Sequence, residues 1–215
     1  MDLAFPNESA DYRAARNALL EREIELRRAT EAVADARRAL PAGGEVPQDY
    51  IFSTLGPDGL PTLMPMSGLF GHGQDTLMIY HFMYGPAMAQ PCPMCSLFLD
   101  NLNGIANHAN ARVSFVISAA SPLPRILSAA KARGWDKLRF VSSHGNTYNR
   151  DYLGEDAEGD QMPMFNVFRR DGDEIRHFWG SEMLFAPTDP GQDPRHVDSV
   201  DALWNLFDLA PEGRG

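Results

Sequence analysis

Residues 91–96 read Pro91-Cys92-Pro93-Met94-Cys95-Ser96, and a dense apolar run precedes them: Thr76-Leu77-Met78-Ile79-Tyr80-His81-Phe82-Met83. Such a run is typical of a central strand that is buried on both faces. Residues 93–108 carry apolar side chains at steps of three and four, which predicts a helix. The two cysteines therefore lie between a buried strand and the start of a helix.

Strands and helices continue to alternate further along the chain. Residues 113–118 form a second apolar run. Pro122 and Gly134 then bracket a second helix, since proline suits the first turn of a helix and glycine its end. The other predicted strands are short and span residues 50–55, 140–143, 164–169 and 174–179. The last two flank an Asp-Gly turn, which is typical of a hairpin.

This order of elements predicts an α/β protein with a thioredoxin-like fold, a three-layer sandwich around a mixed central sheet. Parallel strands joined by right-handed helical crossovers come first, and an antiparallel pair follows. We expect residues 46–180 to form this domain. Residues 1–45 would form a helical extension, and residues 181–215 a C-terminal tail with a short helix over 200–209, capped by Asp198 or Ser199.

The N-terminal extension is predicted to be one long helix over residues 7–40, capped by Asn7 or Ser9. Large apolar residues recur every seven positions, whereas the companion positions three further on are small or charged. The recurring residues are Tyr12, Leu19, Leu26, Val33 and Leu40. We expect this stripe to lie on the domain or on a partner subunit, and the second arrangement would make a homodimer through the helix.

The net charge of the 215-residue chain is −10, which argues against a nucleic-acid partner because phosphate binding needs a basic face. The N-terminus lacks the basic and apolar regions of a signal peptide, and no apolar run approaches the ~20 residues of a membrane helix. We therefore expect a cytoplasmic protein without a membrane partner. In a reducing cytosol, a thiol pair is more often catalytic or metal-binding than a structural disulfide.

The position of the cysteines at a helix start has a chemical consequence. The unpaired N–H groups and the positive end of the helix dipole favour a thiolate at Cys92. Pro93 suits the first turn, where its missing N–H costs no hydrogen bond. Cys95, one turn further, is close enough to resolve a mixed disulfide. The pattern predicts a thiol–disulfide oxidoreductase acting on a protein or small-molecule thiol or disulfide.

Other interpretations of the cysteines stay open at this point. They could be two inert, half-buried thiols, or Cys92 could form a sulfenic acid in a peroxidase. Zinc needs four ligands, which His81 and His144 could complete, but we expect no metal and no other cofactor. A binding module without redox turnover would use the long loop at residues 84–90 to hold its ligand or partner.

Three further residues are candidates for supporting roles. Pro163 sits where thioredoxin-like folds place a cis-proline against the cysteines, with the backbone before it pairing with a peptide substrate. Met162 belongs to a group of methionines that could form an adaptable substrate surface or simply pack. His81, at the end of the central strand, could accept a proton from Cys95 or could be a core histidine with a hydrogen bond to the backbone.

The segments 80–86 and 92–96 together resemble the hallmark of a bacterial thioredoxin-like family known as domain of unknown function 899. Later blocks at the expected spacing resemble it as well: Gly134-Trp135, Val141-Ser142-Ser143, Met162-Pro163 and residues 167–172. The resemblance covers most of the chain. It implies a thioredoxin-like fold and dithiol–disulfide oxidoreductase activity, with Cys92 and Cys95 as the redox pair and Pro163 as the cis-proline.

Overall fold

The computed structural model describes residues 4–214, which divide into two compact units between Pro41 and Ala42. Most of the first unit is helix α1, Ala10–Arg38. Ser9 caps it, accepting a hydrogen bond from the Tyr12 N–H at 3.1 Å. No residue of α1 is buried. The long N-terminal helix is confirmed, whereas the predicted boundaries after residues 45 and 180 stay predictions.

The second unit is built on one seven-stranded mixed sheet with the order β2-β1-β5-β4-β3-β6-β7. Its strands are β1 (Ile51–Leu55), β2 (Pro61–Pro65), β3 (Thr76–His81), β4 (Ser114–Ala119), β5 (Phe140–Ser142), β6 (Met164–Asp171) and β7 (Glu174–Gly180). Strands β3, β4 and β5 pair in parallel, and β6 and β7 form the predicted antiparallel hairpin. The mixed central sheet is therefore confirmed.

The helices of this unit are α2 (Pro93–Asn110), α3 (Leu123–Arg133), α4 (Tyr148–Asp151) and α5 (Ala202–Phe207), with 3₁₀ turns at Met66–Leu69 and Glu182–Phe185. As predicted, α3 ends at Gly134, whose φ of 71° lies in the left-handed region that glycine adopts without strain. Within residues 4–214, no helix combines the length and the apolar character that crossing a bilayer requires.

Two hydrophobic clusters cover the two faces of the sheet. Helices α2 and α3 pack on one face through residues such as Leu99 and Ile126. The Met66–Leu69 turn and α4 cover the opposite face, where they pack with strand residues such as Phe52. The sheet thus lies between two layers, as in thioredoxin-like folds. The sequence did not predict α4, which has four residues and therefore no periodicity to detect.

The C-terminal helix is also present, but its cap differs from the prediction. Asp201 caps α5 by accepting a hydrogen bond from the Leu203 N–H at 3.0 Å. Asp198, a predicted cap, instead forms ion pairs with Arg195 and Arg214. A carboxylate held by two guanidinium groups is not free to turn toward the helix, so the start of the helix shifts to Asp201.

Candidate active site at the cysteine pair

The chain turns back after β3 and brings Cys92 to the start of α2. The Cys92 N–H donates to the Met83 carbonyl at 3.0 Å, which ties the cysteine to the end of the central strand. The Ser96 N–H and its hydroxyl both donate to the Cys92 carbonyl at 2.9 Å. Cys92 is the N-cap residue, and Pro93 occupies the first helical turn as predicted. The site is thus built on a rigid strand–helix junction.

The two cysteines are free thiols in different environments. Cys92 is partly exposed, whereas Cys95 is only 3% exposed. The Cys92 side chain lies near that of Cys95. Burial raises the pKa of Cys95 to about 12, although hydrogen bonds from the Tyr80 hydroxyl and the Met83 backbone act in the opposite direction. Cys95 is therefore a neutral thiol at physiological pH, and the accessible sulfur is that of Cys92.

The side chain beside Cys95 belongs to Tyr80 rather than to His81. Successive residues of a strand point to opposite faces of the sheet, and Tyr80 faces α2. The His81 Nε2 lies 3.2 Å from the Gln161 Oε1, and its ring packs against Gly154. Burial lowers the pKa of His81 to about 4, so its ring is neutral at pH 7. The structure does not bring His81 to the thiols.

A cavity of about 470 Å³ opens onto both cysteines. Phe98 of α2 lines it, together with Met83 after the end of β3 and Pro163 just before β6. Residues of the C-terminal tail, among them Trp204 and Arg214, line it as well. The sequence did not predict this contribution, because nothing in the tail's own pattern indicates which part of the domain it contacts.

Pro163 lines the cavity, but its peptide bond differs from the prediction. Every peptide bond within residues 4–214 is trans, so the expected cis-proline is wrong. The trans form is the lower in energy for X–Pro bonds by about 0.5–1 kcal/mol. Here the Met162 N–H donates to the Gly154 carbonyl at 3.0 Å, an internal bond that holds this segment. Met162 is not among the residues lining the cavity.

The loop at residues 84–90 is held in place by α3 and the residues before it. The Arg125 Nη1 donates to the Pro86 carbonyl at 2.8 Å, and the guanidinium lies 4.6 Å from the centre of the Tyr84 ring. The Ser121 hydroxyl donates to the Gly85 carbonyl at 3.0 Å. A second cavity, of about 410 Å³, lies between this loop and residues 155–161.

The two histidines considered as zinc ligands have other partners. His144 Nδ1 lies 3.1 Å from the Ala120 carbonyl oxygen, and His81 contacts Gln161. Within the described part of the chain, no three histidine, cysteine or acidic side chains are grouped as they would be around a metal ion.

A mixed sheet with a Cys-x-x-Cys segment at the start of its first crossover helix defines a protein of the thioredoxin-like class. A solved structure with a TM-score of 0.50 agrees on the fold. Thioredoxin peroxidase I of Plasmodium yoelii is 14% identical with a TM-score of 0.50, and the match covers 81% of this chain and 96% of that one. Peroxidoxin BcpB of Mycobacterium tuberculosis is 20% identical with a TM-score of 0.44, over 75% of this chain and 94% of that one.

The chain belongs to a family described as bacterial protein of unknown function (DUF899), whose family model matches residues 3–215. The resemblance found in the sequence is thereby confirmed. No curated protein matches the chain.

Proposed function

We propose that the protein is a thiol–disulfide oxidoreductase in which Cys92 attacks the substrate and Cys95 resolves the intermediate. One observation carries this proposal. The partly exposed thiol of Cys92 opens into a cavity at the start of α2, while the buried thiol of Cys95 lies near it, one turn further along. The attacking thiol must be accessible to the substrate, as Cys92 is. The resolving thiol must lie close to the attacking one, as Cys95 does.

The reaction reduces one substrate disulfide and oxidises the pair. The Cys92 thiolate attacks one substrate sulfur, the substrate S–S bond breaks, and the first thiolate leaves and takes up a proton. The Cys95 thiol then loses its proton and attacks the Cys92 sulfur of the mixed disulfide. The second substrate thiol leaves, and a Cys92–Cys95 disulfide remains. A dithiol such as dithiothreitol returns the pair to the reduced state in an assay.

The buried environment of Cys95 suits the second step. At neutral pH its raised pKa keeps it protonated, so it does not compete with Cys92 for substrate. Within the mixed disulfide the attack is intramolecular, and a positioned group gains a high effective concentration. The Tyr80 hydroxyl stabilises the thiolate that develops on Cys95 by donating a hydrogen bond to it.

Alkylation kinetics test the roles of the two thiols. We expect iodoacetamide at pH 7 to label Cys92 at least about tenfold faster than Cys95, as followed by peptide mass spectrometry. Cys92→Ser should abolish disulfide reduction, and Cys95→Ser should accumulate the mixed disulfide. Equal, slow labelling of both cysteines would count decisively against the proposal.

A binding module without redox turnover is the second candidate, favoured by the cavity of about 410 Å³ beside the fixed loop at residues 84–90. The Cys92→Ser variant separates the two candidates. If the variant retains the full biological activity of the protein, binding alone accounts for the function.

A further inference from the structure

The C-terminal wall, defined here as residues 193–214, is anchored to α2. Asp201 is 3% exposed and accepts a hydrogen bond from the Asn101 side-chain amide at 2.8 Å. Val200, beside it, packs against the hydrophobic cluster that contains Cys95. Loss of the hydrogen-bond donor from a buried carboxylate costs free energy, because the carboxylate is left without a partner. The wall is therefore docked on the helix that carries the cysteines.

Four charged groups of the wall, those of Arg195, Asp198, Asp208 and Arg214, already pair with one another. Arg214 contacts Asp198 and Asp208 at 2.6 Å, and Arg195 contacts Asp208 at 2.8 Å and Asp198 at 3.1 Å. This network raises the pKa of Arg214 and lowers that of Asp208, because each charge stabilises its partner. A charged ligand in the cavity would have to compete with these internal pairs.

Apart from Asp193 and His196, whose buried Nδ1 has no hydrogen-bond partner within the described residues, the surfaces that remain for a ligand are largely apolar. Met83, Met94, Phe98, Pro163 and Trp204 all line the cavity. Thioether and aromatic groups adapt to apolar and aromatic ligands. The volume of about 470 Å³ is that of a small-molecule site.

The same arrangement disfavours a polypeptide substrate. The wall lines the same cavity as the cysteines, Phe98 and Pro163, and so narrows the access of a chain segment to them. An extended peptide gains affinity from backbone hydrogen bonds to an open edge. Next to Pro163, the Met162 N–H already donates to the Gly154 carbonyl, so it is not available to pair with the backbone of a peptide.

We propose that the cysteine cavity takes a small, uncharged, apolar disulfide or thiol, with Trp204 as a contact residue, and that protein disulfides are poor substrates. This inference rests on the proposed oxidoreductase function and specifies the substrate class of the same site.

Three disulfides of different size and charge test the inference on the full, reduced chain. The neutral 4,4′-dithiodipyridine and the dianionic 6,6′-dithiodinicotinate are both pyridyl disulfides that differ chiefly by two carboxylates, and insulin supplies protein disulfides. Each rate is divided by the rate of the same disulfide with free glutathione. We expect the neutral probe to react about tenfold or more faster than the dianion, and insulin to be slower still.

Two substitutions in α5 give a matched comparison. Trp204→Ala should lower the normalised rate with the neutral probe about tenfold, which corresponds to about 1.4 kcal/mol of lost contact. Leu206→Ala, at a position on the same helix that is 59% exposed and does not line the cavity, should leave that rate unchanged. Iodoacetamide labelling of Cys92 should be the same in both variants, which separates substrate contact from thiol reactivity.

The outcomes distinguish this inference from the proposed function. If none of the three disulfides reacts, the oxidoreductase function fails, and the substrate class fails with it. If insulin or the dianion reacts as fast as the neutral probe, the substrate class is wrong while the function stands. Equal rates for Trp204→Ala and Leu206→Ala would overturn the contact role of Trp204.

Discussion

The hydroxyl of Tyr80 hydrogen-bonds the thiol of Cys95, which links the central strand to the helix that carries both cysteines. Tyr80 is 6% exposed and Cys95 3%. Burial raises the pKa of both groups, so the pair is uncharged at neutral pH. The resolving thiol of Cys95 thus has a hydrogen-bond donor beside it, which stabilises the thiolate when it forms.

Tyr80→Phe tests the role of this hydrogen bond. Without the hydroxyl donor the pKa of Cys95 should rise further, and the mixed disulfide should decay about threefold to tenfold more slowly at pH 8, as expected for a lost hydrogen bond of about 1 kcal/mol. Stopped-flow measurement of the second thiol released from 4,4′-dithiodipyridine reports this step. The pH at which this rate reaches half of its maximum should also shift upward. Tyr152→Phe, on the opposite face, is the control, and equal rates in the two variants would refute the role.

Asn101→Ala tests the anchoring of the C-terminal wall. Asp201 would lose its side-chain partner on α2, and the wall should open more often. We expect insulin reduction to rise several-fold while the rate with the neutral probe falls. Asn103→Ala is the matched control, because Asn103 lies on the same helix but bonds the Lys137 N–H instead. An unchanged ratio of the two rates in Asn101→Ala would show that the wall does not select the substrate.

His81 makes the folded state sensitive to acid. Its pKa is about 4 in the folded protein against an ordinary value of 6.5, so between these values the unfolded chain binds a proton that the folded protein does not. Its contribution to stability is present above pH 6.5 and is lost as the pH falls toward 4. One such group changes the free energy of unfolding by about 3 kcal/mol over this range.

His81→Gln removes this titration while retaining a polar group near Gln161. Urea denaturation at pH 7 and pH 4.5 should show a smaller loss of stability for the variant than for the natural chain. An equal loss in both proteins would mean that His81 is not the group responsible.

A pair of glycine substitutions tests the packing around the same histidine. A methyl group at Gly154 would lie 2.7 Å from the His81 Cγ, so Gly154→Ala should destabilise the protein by about 1–3 kcal/mol. Gly104 lies within α2, and a methyl group there meets no atom within 4 Å. Gly104→Ala should therefore stabilise by about 0.5–1 kcal/mol through helix propensity. Thermal denaturation measures both, and shifts in the same direction would contradict the packing described.

The N-terminal helix leads to a prediction about assembly. Leu19, Leu26 and Val33 are 46%, 67% and 49% exposed, and they belong to the stripe that recurs every seven residues. We propose that this stripe pairs with that of a second copy, because burial of such side chains is favourable. Sedimentation should then give twice the chain mass of 23.8 kDa, and Leu26→Glu should give the single mass. Arg27→Glu, next to it, is the charge control, and a natural chain that sediments at 23.8 kDa refutes the pairing.

Local pattern was sufficient for most of the framework. The period of apolar residues predicted α1, α2 and the buried strands, and Pro122 with Gly134 marked the limits of α3, because these signals depend on neighbours within a few residues. The position of Cys92 at a helix start followed from the same local reasoning. The helix caps were predicted less well: Ser9 caps α1 as expected, whereas α5 is capped by Asp201 rather than by Asp198 or Ser199.

Contacts between distant parts of the chain decided the rest. Alternation along β3 separates Tyr80 from His81, but only the packing of α2 on one face determines which of them meets Cys95. The bond between Asn101 and Asp201 joins residues one hundred positions apart, and it brings the tail to the cysteines. Such contacts depend on how whole elements pack together, and a sequence window that covers one element carries no information about the other.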